Sequence, residues 1–147
     1  MRQPRITASA DYPKIEGIEL PEALFSDRTN FITFTRKGLS GEVLKQAVVT
    51  LGYRELFVRL LETTTGNLSR FYRRKALTQS QSEGVLDTLR LFSKATSVFG
   101  DPKKAKQWLE CSIPALGDQV PIDLCDTFEG RKMVQGALRK IEYGEFV

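Results

Sequence analysis

Phe99 to Val147 read FGDPKKAKQWLECSIPALGDQVPIDLCDTFEGRKMVQGALRKIEYGEFV, and the punctuation of this stretch decides the fold. Asp101 followed by Pro102 predicts a helix start. The carboxylate accepts from backbone N–H groups that have no intrahelical partner, and proline at the first helical position has no donor to lose. Ala105, Trp108 and Leu109 then fall on one face of that helix. Pro114, Gly117 and Pro121 break the chain into a rigid loop. Thr127 opens a second helix, in which Val134, Leu138 and Ile141 recur at three-to-four-residue spacing. That helix is expected to stop at Gly144, leaving Glu145, Phe146 and Val147 as a tail. Two readings of the tail are open: it folds back on its own domain, or it enters a partner. Trp108 is divided in the same way between core and contact surface.

The order Phe99-Gly100-Asp101, Ala105, Trp108-Leu109, Pro114-Ala115-Leu116-Gly117, Pro121, Leu124, Gly130 and Ile141-Glu142-Tyr143-Gly144 resembles the toxin-binding domain of Xre/MbcA/ParS-like antitoxins. These are the antitoxins paired with RES-domain toxins, and the likeness covers the last third of the chain. The resemblance implies that this domain grips a toxin that consumes NAD or transfers ADP-ribose, and that the C-terminal tail blocks the toxin's NAD-binding cleft. It also implies an Xre-like helix-turn-helix ahead of the domain, with leucine and arginine where Leu68 and Arg70 stand. Toxin contacts are therefore expected at Trp108, Arg139, Lys140, Glu142, Tyr143, Gly144, Glu145, Phe146 and Val147, since aromatics and arginine dominate interface energetics. In that arrangement the Glu145 and terminal carboxylates compete with NAD phosphate for the same donors.

Working outward, the 147 residues suffice for one core, or for two small helical units that share one. Hydrophobic residues at 41% and charged residues at 27% describe a soluble globular chain rather than a disordered one. No apolar run approaches the roughly 20 residues that span a bilayer. The N-terminus has no apolar block of a secretory signal, so a cytoplasmic protein with no membrane partner is expected. Cys111 and Cys125 fit that compartment as reduced, partly buried thiols. The sequence has no histidine, which removes the commonest general base and the commonest metal ligand. Neither a glycine-rich phosphate loop nor a CxxC pair is present, so no cofactor, metal or catalytic activity is expected. Residues 1–98 hold 15 Lys and Arg against 10 Asp and Glu, whereas residues 99–147 hold 7 against 8. A basic front and a balanced back suggest a polyanion partner for the first and a protein partner for the second.

The chain divides into an N-terminal arm (1–38, partly extended), a helix-turn-helix region (39–98) and the toxin-binding domain with its tail (99–147). Pro4, Pro13 and Pro21 mark the arm, whose Arg2 and Arg5 are candidates for DNA or a dimer partner. Asn30 to Thr35, NFITFT, predicts a short strand in an otherwise all-α protein, although the resemblance implies a helix near here. Ser40 then caps a helix carrying Val43, Leu44, Ala47, Val48 and Leu51, which Gly52 ends; Tyr53 to Leu61 form the next, with Leu56, Phe57, Leu60 and Leu61 inward. One of Thr63 to Thr65 caps a short helix anchored by Leu68 and by Phe71 or Tyr72, with Asn67, Ser69, Arg70, Arg73 and Arg74 on its outer side. Thr78 with Gln81 predicts a capping box, and Val85, Leu89 and Phe92 follow at helical spacing, although Gly84 leaves that helix's first turn in question.

Between the two caps lies a cationic run without a single acid from Asn67 to Lys75. A solvated face usually intersperses both signs. Thr65, Asn67, Ser69, Arg70, Arg73, Arg74 and Lys75 are the candidate DNA contacts, because arginine pairs bidentately with guanine or phosphate and asparagine with adenine. Operators are read by dimers, so a homodimer is expected. Two other readings stand beside the antitoxin: a helix-turn-helix regulator with no toxin partner, and a small enzyme using Asp123, Asp126 or Glu129 as paired carboxylates. Those acids read more naturally as helix-cap and first-turn residues.

Overall fold

Asp27 caps a helix: its carboxylate accepts from the backbone N–H of Thr29 at 3.0 Å and of Asn30 at 3.2 Å. In the computed structural model, which describes residues 11–144, helix α1 runs Arg28–Lys37. The strand expected at Asn30–Thr35 is corrected: these residues are helical. Strand propensity expresses fit to a half-buried pleated surface, in which alternate side chains turn inward. Here the buried pair is Phe31 and Thr35, one helical turn apart, and Ile32 is exposed. The Asp27 cap, Arg36 and Lys37 at the negative end of the helix dipole, and packing against Gln79–Phe99 outweigh the local preference.

The stretch ahead of α1 is irregular but not detached. Ile18 and Leu24 are buried, and Ser93 donates from its hydroxyl to the Pro13 carbonyl at 2.7 Å. Arg2 and Arg5 lie outside the described residues.

Helices α2 (Gly41–Leu51) and α3 (Arg54–Leu60) form where the apolar stripes predicted them. Ser40 caps α2 by accepting from Val43 N–H, and the Gly52 N–H closes it on Val48. A 3-10 turn at Thr65–Asn67, capped by Thr64, leads into α4 (Leu68–Phe71), whose Leu68 and Phe71 are buried. Next comes α5, Gln79–Phe99, with both arms of the Thr78–Gln81 capping box formed. Gly84 does not interrupt it. A Cβ there would meet Leu60 at 3.5 Å, an ordinary contact.

Helix α5 is the spine. At 21 residues it spans about 32 Å, and it packs against α1 and α3 as well as against the two helices that follow. Those are α6 (Pro102–Leu109), started by Asp101 and Pro102 as expected, and α8 (Phe128–Glu142), capped by Thr127. Between them lie a 3-10 turn at Pro114–Leu116 and the one-turn helix α7, Pro121–Leu124. The buried residues form one cluster, from Ile18 and Leu24 through Val85 and Leu89 to Val134 and Leu138. Among the described residues no β-strand occurs, and no helix is long and apolar enough to cross a membrane.

Candidate functional site

The cationic run starts at the Thr64 cap, where the hydroxyl accepts from Asn67 N–H. Of the seven candidates, Thr65 and Asn67 lie in the 3-10 turn, Ser69 and Arg70 on α4, and Arg73, Arg74 and Lys75 in the loop beyond. The helical part is thus a single turn, shorter than the outward-facing helix expected through Arg74. All seven are exposed except Asn67, which is half-buried. The loop is nonetheless held at both ends. Gly41 N–H donates to the Arg74 carbonyl at 2.9 Å, and Leu77 N–H donates to the Leu39 carbonyl at 2.7 Å. Leu39 N–H in turn donates to the buried Ser82 hydroxyl at 2.8 Å. Gly41 is required by this approach, since a Cβ there would fall 2.2 Å from the Phe71 carbonyl oxygen. The Arg74 guanidinium lies over the Phe71 ring, 4.3 Å from its centroid.

The same staple brings Arg36 and Lys37, at the end of α1, beside the loop through Gly38 and Leu39. Arg54 joins from the other side by donating to the Thr65 carbonyl at 3.0 Å. Sequence reading missed these three cations. The adjacent pair Arg36-Lys37 was visible, but its proximity to Arg73–Lys75 comes from the Leu77–Leu39 and Gly41–Arg74 hydrogen bonds.

In the C-terminal third, α8 is fastened to α5 by a buried ion pair that no motif announced. Arg131 Nε donates to Asp87 Oδ2 at 2.7 Å, and Arg131 Nη1 donates to the Cys125 carbonyl at 2.9 Å. The other Asp87 oxygen accepts from Arg90 at 2.7 Å, and the Arg90 guanidinium covers the Phe31 ring. Arg131 and Asp87 side chains are 7% and 8% exposed, so each depends on the other for its solvation. One residue earlier, Gly130 sits where a Cβ would fall 1.7 Å from the Leu124 carbonyl oxygen; only glycine lets α7 and α8 meet there.

Of the expected toxin contacts, Arg139, Lys140, Glu142, Tyr143 and Gly144 cluster at the C-terminal end of α8. Arg139 and Lys140 are exposed, and Tyr143 is 70% exposed. Glu142 pairs with Lys94 of α5 at 2.9 Å. Trp108 is half-buried, its ring 5.6 Å from that of Phe99, so part of it belongs to the α5–α6 seam. Helix α8 ends at Glu142, with Gly144 at φ +75° just beyond. Glu145, Phe146 and Val147 lie outside the described residues. The acids of the enzyme reading are otherwise occupied: Asp126 pairs with Arg59 at 3.3 Å, while Asp123 and Glu129 stand in the first turns of α7 and α8.

The two thiols differ, contrary to the expectation that both are partly buried. Cys111 is exposed and Cys125 is buried. Burial pushes the Cys125 thiol up to about 12, against the opposing pull of Arg131. Alkylation of the folded protein near pH 8 is therefore expected to add one label, at Cys111, with the second appearing only in denaturant; peptide mass mapping checks it. Tyr53, at the α2–α3 joint, stacks on Phe92 and donates to the Glu110 carboxylate. Burial first, and that carboxylate second, push its phenol above the ordinary tyrosine range. Its share of stability is present below the unfolded tyrosine pKa and is lost as pH rises beyond it.

Among the described residues the chain is helical, with a basic loop held by backbone hydrogen bonds after α4 and with α8 fastened to the spine by a buried ion pair. Residues 94–144 match the family model of the antitoxin Xre/MbcA/ParS C-terminal toxin-binding domain. Over 123 residues the chain is 33% identical to the Prs ADP-ribosylating antitoxin of Sphingobium sp. (strain YBL2), covering 76% of this chain and 77% of that relative. The chain belongs to the Xre/MbcA/ParS-like antitoxins. It is the antitoxin of a toxin–antitoxin system, and a cognate toxin is its partner.

Proposed function

We propose that the chain neutralises a RES-domain, NAD-consuming toxin by placing Glu145, Phe146 and Val147 in the toxin's active site, and that it represses its own promoter through the basic loop. The observation that carries the first part is the docking of α8. The Asp87–Arg131 pair and the Lys94–Glu142 pair hold this helix against the spine up to its last residue, so whatever follows Gly144 is launched from a fixed, exposed point. A rigid launch site lowers the ordering cost of an inserted tail. Glu145 then competes for donors that hold NAD phosphate, and Phe146 fills apolar space. The work is steric and electrostatic, not catalytic. ADP-ribosylation in the relative's name favours ADP-ribosyl transfer as the toxin's reaction. Co-expression with the product of the adjacent reading frame, followed by co-purification, tests the pairing; failure of an RES-type neighbour to co-purify would sink it.

For DNA the supporting observation is the concentration of cations on a held backbone: Arg70, Arg73, Arg74 and Lys75, with Arg36, Lys37 and Arg54 close by. A homodimer would present two such loops to two half-sites. Replacing Arg70 and Arg73 by alanine is expected to cost about 1–3 kcal/mol each where they meet bases, and to flatten the salt dependence of binding where they meet phosphates. Fluorescence anisotropy across a salt series reads both, and a salt-independent affinity would exclude the basic loop as the contact. A regulator with no toxin partner would bind its operator identically with or without the neighbouring gene product.

A further inference from the structure

Gly136 stands in the middle of α8, where glycine weakens a helix relative to nearly every other residue. Nothing inside the protein asks for it. A Cβ at Gly136 would meet no atom within 4 Å, in contrast to Gly130 six residues earlier. At about 100° per residue, Gly136 falls at the centre of the solvent face of α8, opposite the buried Val134 and Leu138. Phe128, Met133 and Tyr143 share that face and are 63%, 42% and 70% exposed; they are three of the five large apolar side chains exposed among the described residues. Lys132, Arg139 and Lys140 stand between them, all exposed, with Lys132 over the Phe128 ring.

A helix glycine with no internal reason, bordered by Lys132, Met133, Arg139 and Lys140 and flanked further along the helix by exposed Phe128 and Tyr143, fits the close approach of another backbone. We infer that the α8 face centred on Gly136 is a toxin-docking surface, on which a segment of toxin backbone lies against Gly136 while toxin carboxylates meet Lys132, Arg139 and Lys140. This rests on the reading of the C-terminal third as the toxin-gripping unit, and it extends the contact expected at Arg139, Lys140 and Tyr143 back along the helix to Gly136, Met133, Lys132 and Phe128. A second copy of the chain is the poorer occupant. Two-fold crossing at Gly136 would set Lys132 against the other copy's Lys140 on both sides of the axis, cation on cation. A carboxylate-bearing toxin surface has no such conflict. The whole of α8 also lies inside the segment matched as toxin-binding.

The test uses the full chain, its Gly136→Ala and Gly136→Gln variants, and the toxin encoded beside it. Both variants are expected to melt about 2–4 °C above wild type, because a better helix former replaces glycine. Their affinity for the toxin is expected to fall, by about 10-fold for alanine and further for glutamine. Higher stability with weaker binding is an outcome that general damage to the fold does not produce. Variants that bind the toxin as tightly as wild type overturn the inference, as does a dimer of the free chain in sedimentation that Gly136→Gln dissolves. A wild-type chain with no affinity for the toxin overturns the toxin-gripping reading itself, and this inference with it.

Discussion

A chain ended at Tyr143 is expected to fold, to keep its DNA affinity, and to lose the ability to rescue cells that express the cognate toxin. The fold survives because the contacts that seat α8 come earlier: Val134 and Leu138 in the core, and Arg131 on Asp87. Neutralisation fails because Phe146 and Glu145 are the proposed occupants of the active site. Removal of one aromatic anchor of hot-spot rank lowers toxin affinity by about 30-fold or more. A chain without the tail also no longer displaces NAD, so toxin that the rest of the domain still binds keeps its cofactor and its activity. Growth rescue, melting temperature and DNA affinity are read on the same truncated protein. Full rescue would eliminate tail insertion and leave the body of the domain as the inhibitor.

Arg131→Met is expected to destabilise the protein by about 3–5 kcal/mol in chemical denaturation. It leaves Asp87 buried with only Arg90 to answer its charge, and it strips the donor from the Cys125 carbonyl. Asp87→Leu combined with Arg131→Met is expected to regain most of that loss, because an apolar pair removes the uncompensated carboxylate along with its partner. A single variant as stable as wild type would show that the pair does not fasten α8. If the double variant folds but binds toxin poorly, the pair sets the angle of α8 as well as its stability.

Most helices of this protein were legible as patterns of caps and apolar spacing. Asp101-Pro102, Thr127, the Thr78–Gln81 box and the Gly52 stop all appear where local chemistry puts them, because each concerns backbone groups within a few residues. Asn30–Thr35 was misread for the complementary reason. Its β-branched and aromatic composition is a local preference, and the Asp27 cap together with the long helix packed on Phe31 and Thr35 overrode it. Nor did any pattern reveal the Asp87–Arg131 pair, which joins residues 44 apart in the chain.

Order along the chain was thus enough to name most of the helices, the basic run and the family resemblance, since caps, stripes and charge are short-range properties. Which cations gather round the basic loop, which face of α8 stays bare, and why Gly130 is indispensable while Gly136 meets nothing were settled by packing. Those are distances between residues that neighbour each other only after the spine helix has drawn the stretch around Ile18 and Leu24 and helix α8 onto one core.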